Sequence, residues 1–114
     1  MKPASEESRC DAAIAQMFGA SAIVRLGQKG KRTLNAKGVP DRLYFAGPRI
    51  VFWEIKSKND YLSAEQVIFL HHVLERNGVA GCGNREDLLE LLNAPAPRKV
   101  ALAQIERYRT RIGR

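Results

Sequence analysis

Cysteine is nearly absent: Cys10 and Cys82 are the only two in 114 residues. They lie too far apart in sequence for a disulfide framework or a zinc knuckle. Both sit in apolar contexts, which suits small buried hydrophobes rather than nucleophiles. His71 and His72 are adjacent and point to different sides of a helix, so they cannot chelate one metal as an i,i+4 pair does. Long apolar runs are missing as well. None approaches the roughly 20 residues of a membrane span, so no membrane partner is expected. The first residues, Met1-Lys2-Pro3-Ala4-Ser5-Glu6-Glu7, lack the apolar core of a signal peptide, and the expected compartment is the cytoplasm. There are no internal repeats and no low-complexity segments.

Acids are also in deficit. Asp and Glu number 12 against 19 Lys and Arg, a net charge of +7. The excess is uneven. Residues 25–42 carry Arg25, Lys29, Lys31, Arg32, Lys37 and Arg42 against Asp41 alone, and residues 98–114 carry Arg98, Lys99, Arg107, Arg109, Arg111 and Arg114 against Glu106 alone. Clustered positive charge is the footprint of a phosphate-backbone partner; a solvated surface kept for solubility is the alternative.

What is present fits one α/β domain, long enough to bury about two-thirds of its surface. Ser5 is a plausible N-cap with Glu6 and Glu7 in the first turn, where the helix dipole favours acids. Cys10, Ile14, Met17 and Phe18 form an apolar stripe ended by Gly19. Ala22–Leu26 reads as a short strand, followed by a polar, lysine-rich loop from Gly27 to Gly38. A loop of that length in a small domain is usually functional. Ser63-Ala64-Glu65-Gln66 is a capping box for a helix ending at Asn77-Gly78. Val79–Gly83 is a strand whose glycines imply close packing, and Asn84 caps a helix over Arg85–Asn93. Ala94–Pro97 reads as a stiff linker. The final segment places Ala101, Ile105, Tyr108 and Ile112 on one helical stripe, suited to a packing layer, a dimer contact or a DNA-facing arm.

The centre of the chain is a hairpin. Asp41–Ala46 and Ile50–Ser57 read as strands joined by Gly47-Pro48, where Gly at the first loop position suits a type II′ turn. Residues whose numbers sum to 95 then face each other, which sets Asp41 opposite Glu54 on one sheet face with Lys56 beside them. Directly opposed carboxylates repel, and they persist where something cationic binds between them. A divalent cation such as Mg²⁺ accepts one or two carboxylates plus waters and phosphates. A surface salt-bridge cluster is the plainer alternative. Against it, Glu54 and Lys56 close the apolar run Ile50-Val51-Phe52-Trp53, where charge is costly.

Pro40-Asp41 followed by Glu54-Ile55-Lys56 resembles the PD-(D/E)xK nuclease signature. Gly38-Val39-Pro40-Asp41-Arg42-Leu43, Phe52-Trp53-Glu54-Ile55-Lys56 and Ser63-Ala64-Glu65-Gln66 are similar to its VRR-NUC branch, in particular small stand-alone phage and bacterial versions. The likeness runs from about Glu6 to Leu92. It implies a restriction-endonuclease-like mixed sheet flanked by helices, in the order αβββαβα, over residues 1–93. A linker at 94–97 and a basic helix over 98–114 would follow. It further implies a DNA nuclease dependent on Mg²⁺ or Mn²⁺, leaving 5′-phosphate and 3′-hydroxyl ends. Asp41, Glu54 and the Ile55 carbonyl would hold the metal, and Lys56 would position water or stabilise phosphate charge. Gln66 would orient the lysine or a water, although one glutamine is hardly expected to do this and close the capping box in the same rotamer. A first-helix acid, Glu7 or its neighbour Glu6, would join them. Lys29, Lys31, Arg32, Lys37 and Arg42 are the expected nucleic-acid contacts. Such stand-alone relatives are associated with homodimers and branched DNA such as four-way junctions, and a phage-encoded copy would act in the host cytoplasm. Two other readings stay open: a catalytically silent nucleic-acid-binding module of the same fold, and an interaction protein with incidental carboxylates.

Overall fold

The computed structural model describes residues 5–26 and 37–110. Helix α1 (Glu6–Phe18) starts at Ser5, whose side chain accepts the Ser8 N–H, and stops at Gly19, where φ is 95°. A 3₁₀ turn, Ala20–Ala22, leads into β1 (Ile23–Arg25), and the hairpin follows as β2 (Arg42–Ala46) and β3 (Arg49–Ile55). Helix α2 (Ala64–Glu75) crosses to β4 (Val79–Gly83), and α3 (Arg85–Asn93) and α4 (Pro97–Thr110) complete the chain. The result is a mixed α/β domain in which a four-stranded sheet, ordered β1-β2-β3-β4, is flanked by helices. The first two pairings are antiparallel; β3 and β4 run parallel, as a helical crossover requires. Among the described residues no helix is long and apolar enough to cross a membrane.

Side-chain alternation assigns the two faces of the sheet. Tyr44, Val51 and Trp53 are fully buried on the side of α1 and α3. A Cβ at Gly81, the cross-strand neighbour of Trp53, would press into the Trp53 ring, a Leu91 methyl and Gln104, so only glycine fits there. On the other face Phe52 meets Phe69 of α2 edge-on, with centroids 5.7 Å apart. Here α2 covers only one end of the hairpin; Phe45 and Ile50, opposite each other near the turn, stay exposed.

One expectation changes, and one set of alternatives narrows. Of the α1 stripe, Cys10 and Ile14 are buried, but Met17 and Phe18 are 47% and 39% exposed. The last turn of α1 overhangs the hairpin turn, where Phe18 approaches Gly47, instead of lying on the sheet. The tail helix packs on its own domain: Ala101, Gln104, Ile105 and Tyr108 are buried. Gln104 accepts the Cys82 N–H at 3.4 Å and donates to the Asp87 carbonyl at 2.8 Å, which shields the otherwise free edge of β4. Tyr108 adds a 2.7 Å bond to Asp87 Oδ2. The apolar stripe is therefore a packing layer and is not free for a dimer contact; Ile112 lies outside the described residues.

Candidate active site

The hairpin turn and its register set the site. Gly47 has φ of 66°, as the first position of a II′ turn needs, and Ala46 pairs with Arg49, Leu43 with Phe52 and Arg42 with Trp53. The same register carried one step further sets Asp41 against Glu54. The paired ladder itself ends at Arg42–Trp53, and Pro40 is the next residue in line beyond Asp41. Proline has no N–H, so it cannot complete the ladder bond to the Ile55 carbonyl. The Ile55 N–H is taken instead by Asp41 Oδ2 at 3.0 Å. A strand residue's N–H and C=O point to the same side, so the Ile55 carbonyl is directed towards the Asp41 end of β2.

Gly38 fixes how the chain enters this point. Its φ is 88°, and a Cβ there would lie 2.3 Å from the Glu65 carbonyl oxygen and 2.9 Å from the Gln66 nitrogen. The backbone before Asp41 thus lies directly on the first turn of α2, and only glycine permits both the turn and the approach.

Glu54 is 4% exposed. Its Oε2 accepts Gln66 Nε2 at 2.9 Å and lies 3.5 Å from Lys56 Nζ. Oε1 is buried without a donor. Burial first, and the charge of Asp41 second, push the Glu54 pKa up to about 8, against the pull of Lys56. A proton shared between the two carboxyls is the one hydrogen bond they can make with each other. With both ionised, the pair holds two negative charges against a single ammonium. Lys56 is held from behind, its N–H donating to the Gly83 carbonyl at 2.9 Å. The turn beyond it is tied by Asp60 Oδ2, which accepts the Ser57 N–H at 2.8 Å.

Gln66 corrects an expectation. Its Oε1 accepts the Ser63 N–H at 2.9 Å while its Nε2 reaches Glu54. The two ends of one amide serve the capping box and the carboxylate in the same rotamer. The helix start and the acid pair are therefore one construction.

The structure brings Asp41, Glu54, Lys56 and Gln66 together, and it does not bring the first-helix acids. Glu7 binds Arg42 at 2.9 Å, and Glu6 binds Arg9 at 2.9 Å and accepts the Arg85 N–H at 3.2 Å. Arg42 is a second correction, because its side chain is 4% exposed and committed to Asp11 and Glu7. Strand alternation explains it: the neighbour of Asp41 must point to the opposite face, here towards α1. Burial would lower the Arg42 pKa, but hydrogen bonds and charge from Asp11 and Glu7 outweigh it and raise it. Lys37 is exposed beside Glu65 and His72 at α2. Lys29, Lys31 and Arg32 lie outside the described residues. Both cysteines are free and buried, and burial pushes Cys10 up to about 12 and Cys82 further, so neither is an available thiolate. Asp11 and Tyr44, which complete the Arg42 cluster, carried no recognisable motif; the parity of Arg42 within β2 was the one readable sign of it.

Among the described residues no three His, Cys, Asp or Glu side chains converge on a point that could hold a metal. The donors at hand are two carboxylates and a backbone carbonyl, all hard oxygens. That set suits a cation that keeps several waters, such as Mg²⁺ or Mn²⁺, and not a structural zinc ion. The buried Glu54 oxygen without a donor fits such an ion. The fold and site together define an α/β domain with an acid pair, Glu54 buried and Asp41 half-buried, backed by a lysine and a glutamine. In comparisons with known proteins, no family model, no curated protein and no solved structure matches the chain.

Proposed function

We propose that the protein is a Mg²⁺- or Mn²⁺-dependent DNA nuclease of the PD-(D/E)xK kind, similar to the VRR-NUC branch and restriction-endonuclease-like in fold. The observation that carries the reading is Glu54: a buried carboxylate facing a second carboxylate, with one oxygen left without a donor. Leaving a buried acceptor unsatisfied costs roughly 1–3 kcal/mol, more for a charged group, and such a cost persists where a ligand offsets it. Asp41, Glu54 and the Ile55 carbonyl would hold the cation, which when bound supplies Lewis-acid polarisation of phosphate oxygen and water.

The chain's own groups divide the remaining work. Gln66 fixes Glu54 through Oε2 and leaves Oε1 for the cation. Asp41 is held by the Ile55 N–H through Oδ2, which leaves Oδ1 for the same purpose. Lys56, with 13% of its side chain exposed, sets a positive charge where a phosphate oxygen would lie and can hold an attacking water. Water oxygen adds to phosphorus, the P–O3′ bond breaks, and the departing 3′ oxygen takes a proton, which leaves a 5′-phosphate. Lys37, with Lys29, Lys31 and Arg32 earlier in the sequence, supplies the proposed backbone contacts. Arg42 is withdrawn from that set.

Branched DNA such as four-way junctions is the proposed substrate, and a homodimer the proposed form, because symmetrical cleavage across a junction needs two sites. The buried α4 stripe moves any such interface elsewhere on the domain. Incubation of purified protein with linear, flapped, single-stranded and four-way-junction DNA in Mn²⁺ tests the reading. Cleavage that disappears in Asp41→Asn supports it. Cleavage that survives in Asp41→Asn, or its absence on all four substrates in the wild type, contradicts it.

A further inference from the structure

The hairpin face opposite the acid pair carries a second charged cluster, and one of its bonds crosses to the site. Arg42 Nε donates to Asp11 Oδ1 at 3.0 Å, and Nη2 donates to Asp11 Oδ2 at 3.1 Å and lies 2.9 Å from Glu7 Oε2. Tyr44 fixes the same Asp11 with a 2.7 Å bond to Oδ1. The guanidinium is planar and its donors diverge at set angles. Once Asp11 and Glu7 have oriented that plane, Nη1 has one direction left, and it ends on the backbone carbonyl of Asp41 at 3.1 Å. The same carbonyl accepts the Leu26 N–H at 2.9 Å. Asp41 is therefore gripped twice, at its carbonyl from the α1 side and at its carboxylate by the Ile55 N–H.

We propose that Arg42 is a positioning residue for Asp41. The acids of α1 hold the guanidinium, the guanidinium holds the Asp41 carbonyl, and that bond sets the peptide plane from which the carboxylate reaches Glu54. The inference rests on the reading of Asp41 and Glu54 as a cation site. The route from α1 to Asp41 stands on geometry alone. It also accounts for a costly choice, a nearly buried arginine one residue from the acid pair. A lysine keeps the charge but is a point donor on a flexible stem, and it cannot serve two carboxylates and a carbonyl in one plane. Groups that orient a ligating carboxylate typically change metal affinity by about 10- to 100-fold when removed.

The test compares wild type, Arg42→Lys, Asp11→Asn and Glu7→Gln. Mn²⁺ affinity is measured by titration, and hydrogen exchange of the Ile55 amide is followed without metal. Arg42→Lys and Asp11→Asn are expected to weaken Mn²⁺ binding about 10- to 100-fold. They should also speed exchange at Ile55 relative to the amides of α3, with DNA affinity unchanged. Glu7→Gln removes a partner whose side chain is 61% exposed, so the fold is spared, and a smaller change of the same kind is expected. It keeps the test decisive if the other two do not fold. Wild-type Mn²⁺ affinity and wild-type Ile55 exchange in the folded variants overturn the proposal. So does weaker DNA binding at unchanged Mn²⁺ affinity, which would return Arg42 to phosphate contact. If the wild type binds no Mn²⁺, the cation-site reading fails, and Ile55 exchange alone still decides whether Arg42 holds Asp41.

Discussion

Asp11 and Glu54 are both acids held against the same hairpin, one on each face of the sheet, yet their surroundings differ in kind. Asp11 takes the Arg42 fork, the Tyr44 hydroxyl and Arg25 Nη2 at 3.4 Å, so its charge is met by donors from two strands. Glu54 is more deeply buried, faces another acid, and has an oxygen with no donor. One face shows how this chain neutralises a carboxylate when stability is the requirement. The other sets two acids against a single lysine and leaves one Glu54 oxygen without a donor, which is the observation behind the proposed cation site. Arg42 joins the two, because its guanidinium lies in the first cluster and its Nη1 ends on the backbone of the second.

The sharpest way to break the comparison is to exchange the consequences of mutation. Asp41→Asn or Glu54→Gln should lower DNA cleavage by more than about 100-fold, since the partners that merely orient ligands already cost 10–100-fold. Lys56→Ala should also remove cleavage yet leave DNA affinity near wild type, with the salt slope of binding changed by about one. Asp11→Ala should do the reverse of Glu54→Gln in a stability measurement. It leaves the buried guanidinium with Glu7 as its remaining carboxylate and the Tyr44 hydroxyl without its acceptor, and should cost about 1–3 kcal/mol in urea denaturation. Gly38→Ala should cost on the order of 2 kcal/mol, because it forces both a left-handed backbone and the approach to Glu65 and Gln66.

A further effect is the one with pH. In the metal-free protein the folded-state pKa of Glu54 is raised from 4.5 to about 8, so the folded chain holds a proton that the unfolded chain has released. That stability is fully present below pH 4.5 and is lost as pH rises through about 8. Urea midpoints should therefore fall across this window. Glu54→Gln should flatten the profile and, above pH 8, match or exceed wild type in the absence of metal. A wild-type profile that rises across the window would contradict the assignment.

Much of the hairpin was legible because its information is local. Gly47-Pro48 determines the turn, the turn determines the register, and that register carried one step past Arg42–Trp53 sets Asp41 against Glu54. The helix limits were equally local, as with Asn84 capping Arg85–Asn93. What was not legible depends on pairs distant in the chain. Arg42 reads as one of the nucleic-acid-binding cations until Asp11, 31 residues away, is seen to take it. Glu7 fits the spacing of a first-helix acid, but its direction depends on that same arginine. Even so, alternation along β2 already forbade Arg42 and Asp41 from sharing a face. Gln66 was underestimated for a different reason: an amide has two ends, and each found a partner.

Calorimetric titration of the purified chain with Mn²⁺ near pH 8.5, above the raised pKa of Glu54, tests the cation site most directly. A cation site on this pair requires one Mn²⁺ per chain in the wild type, its loss in Glu54→Gln, and release of protons when the titration is repeated near pH 7. Binding of equal strength and stoichiometry in Glu54→Gln would contradict it.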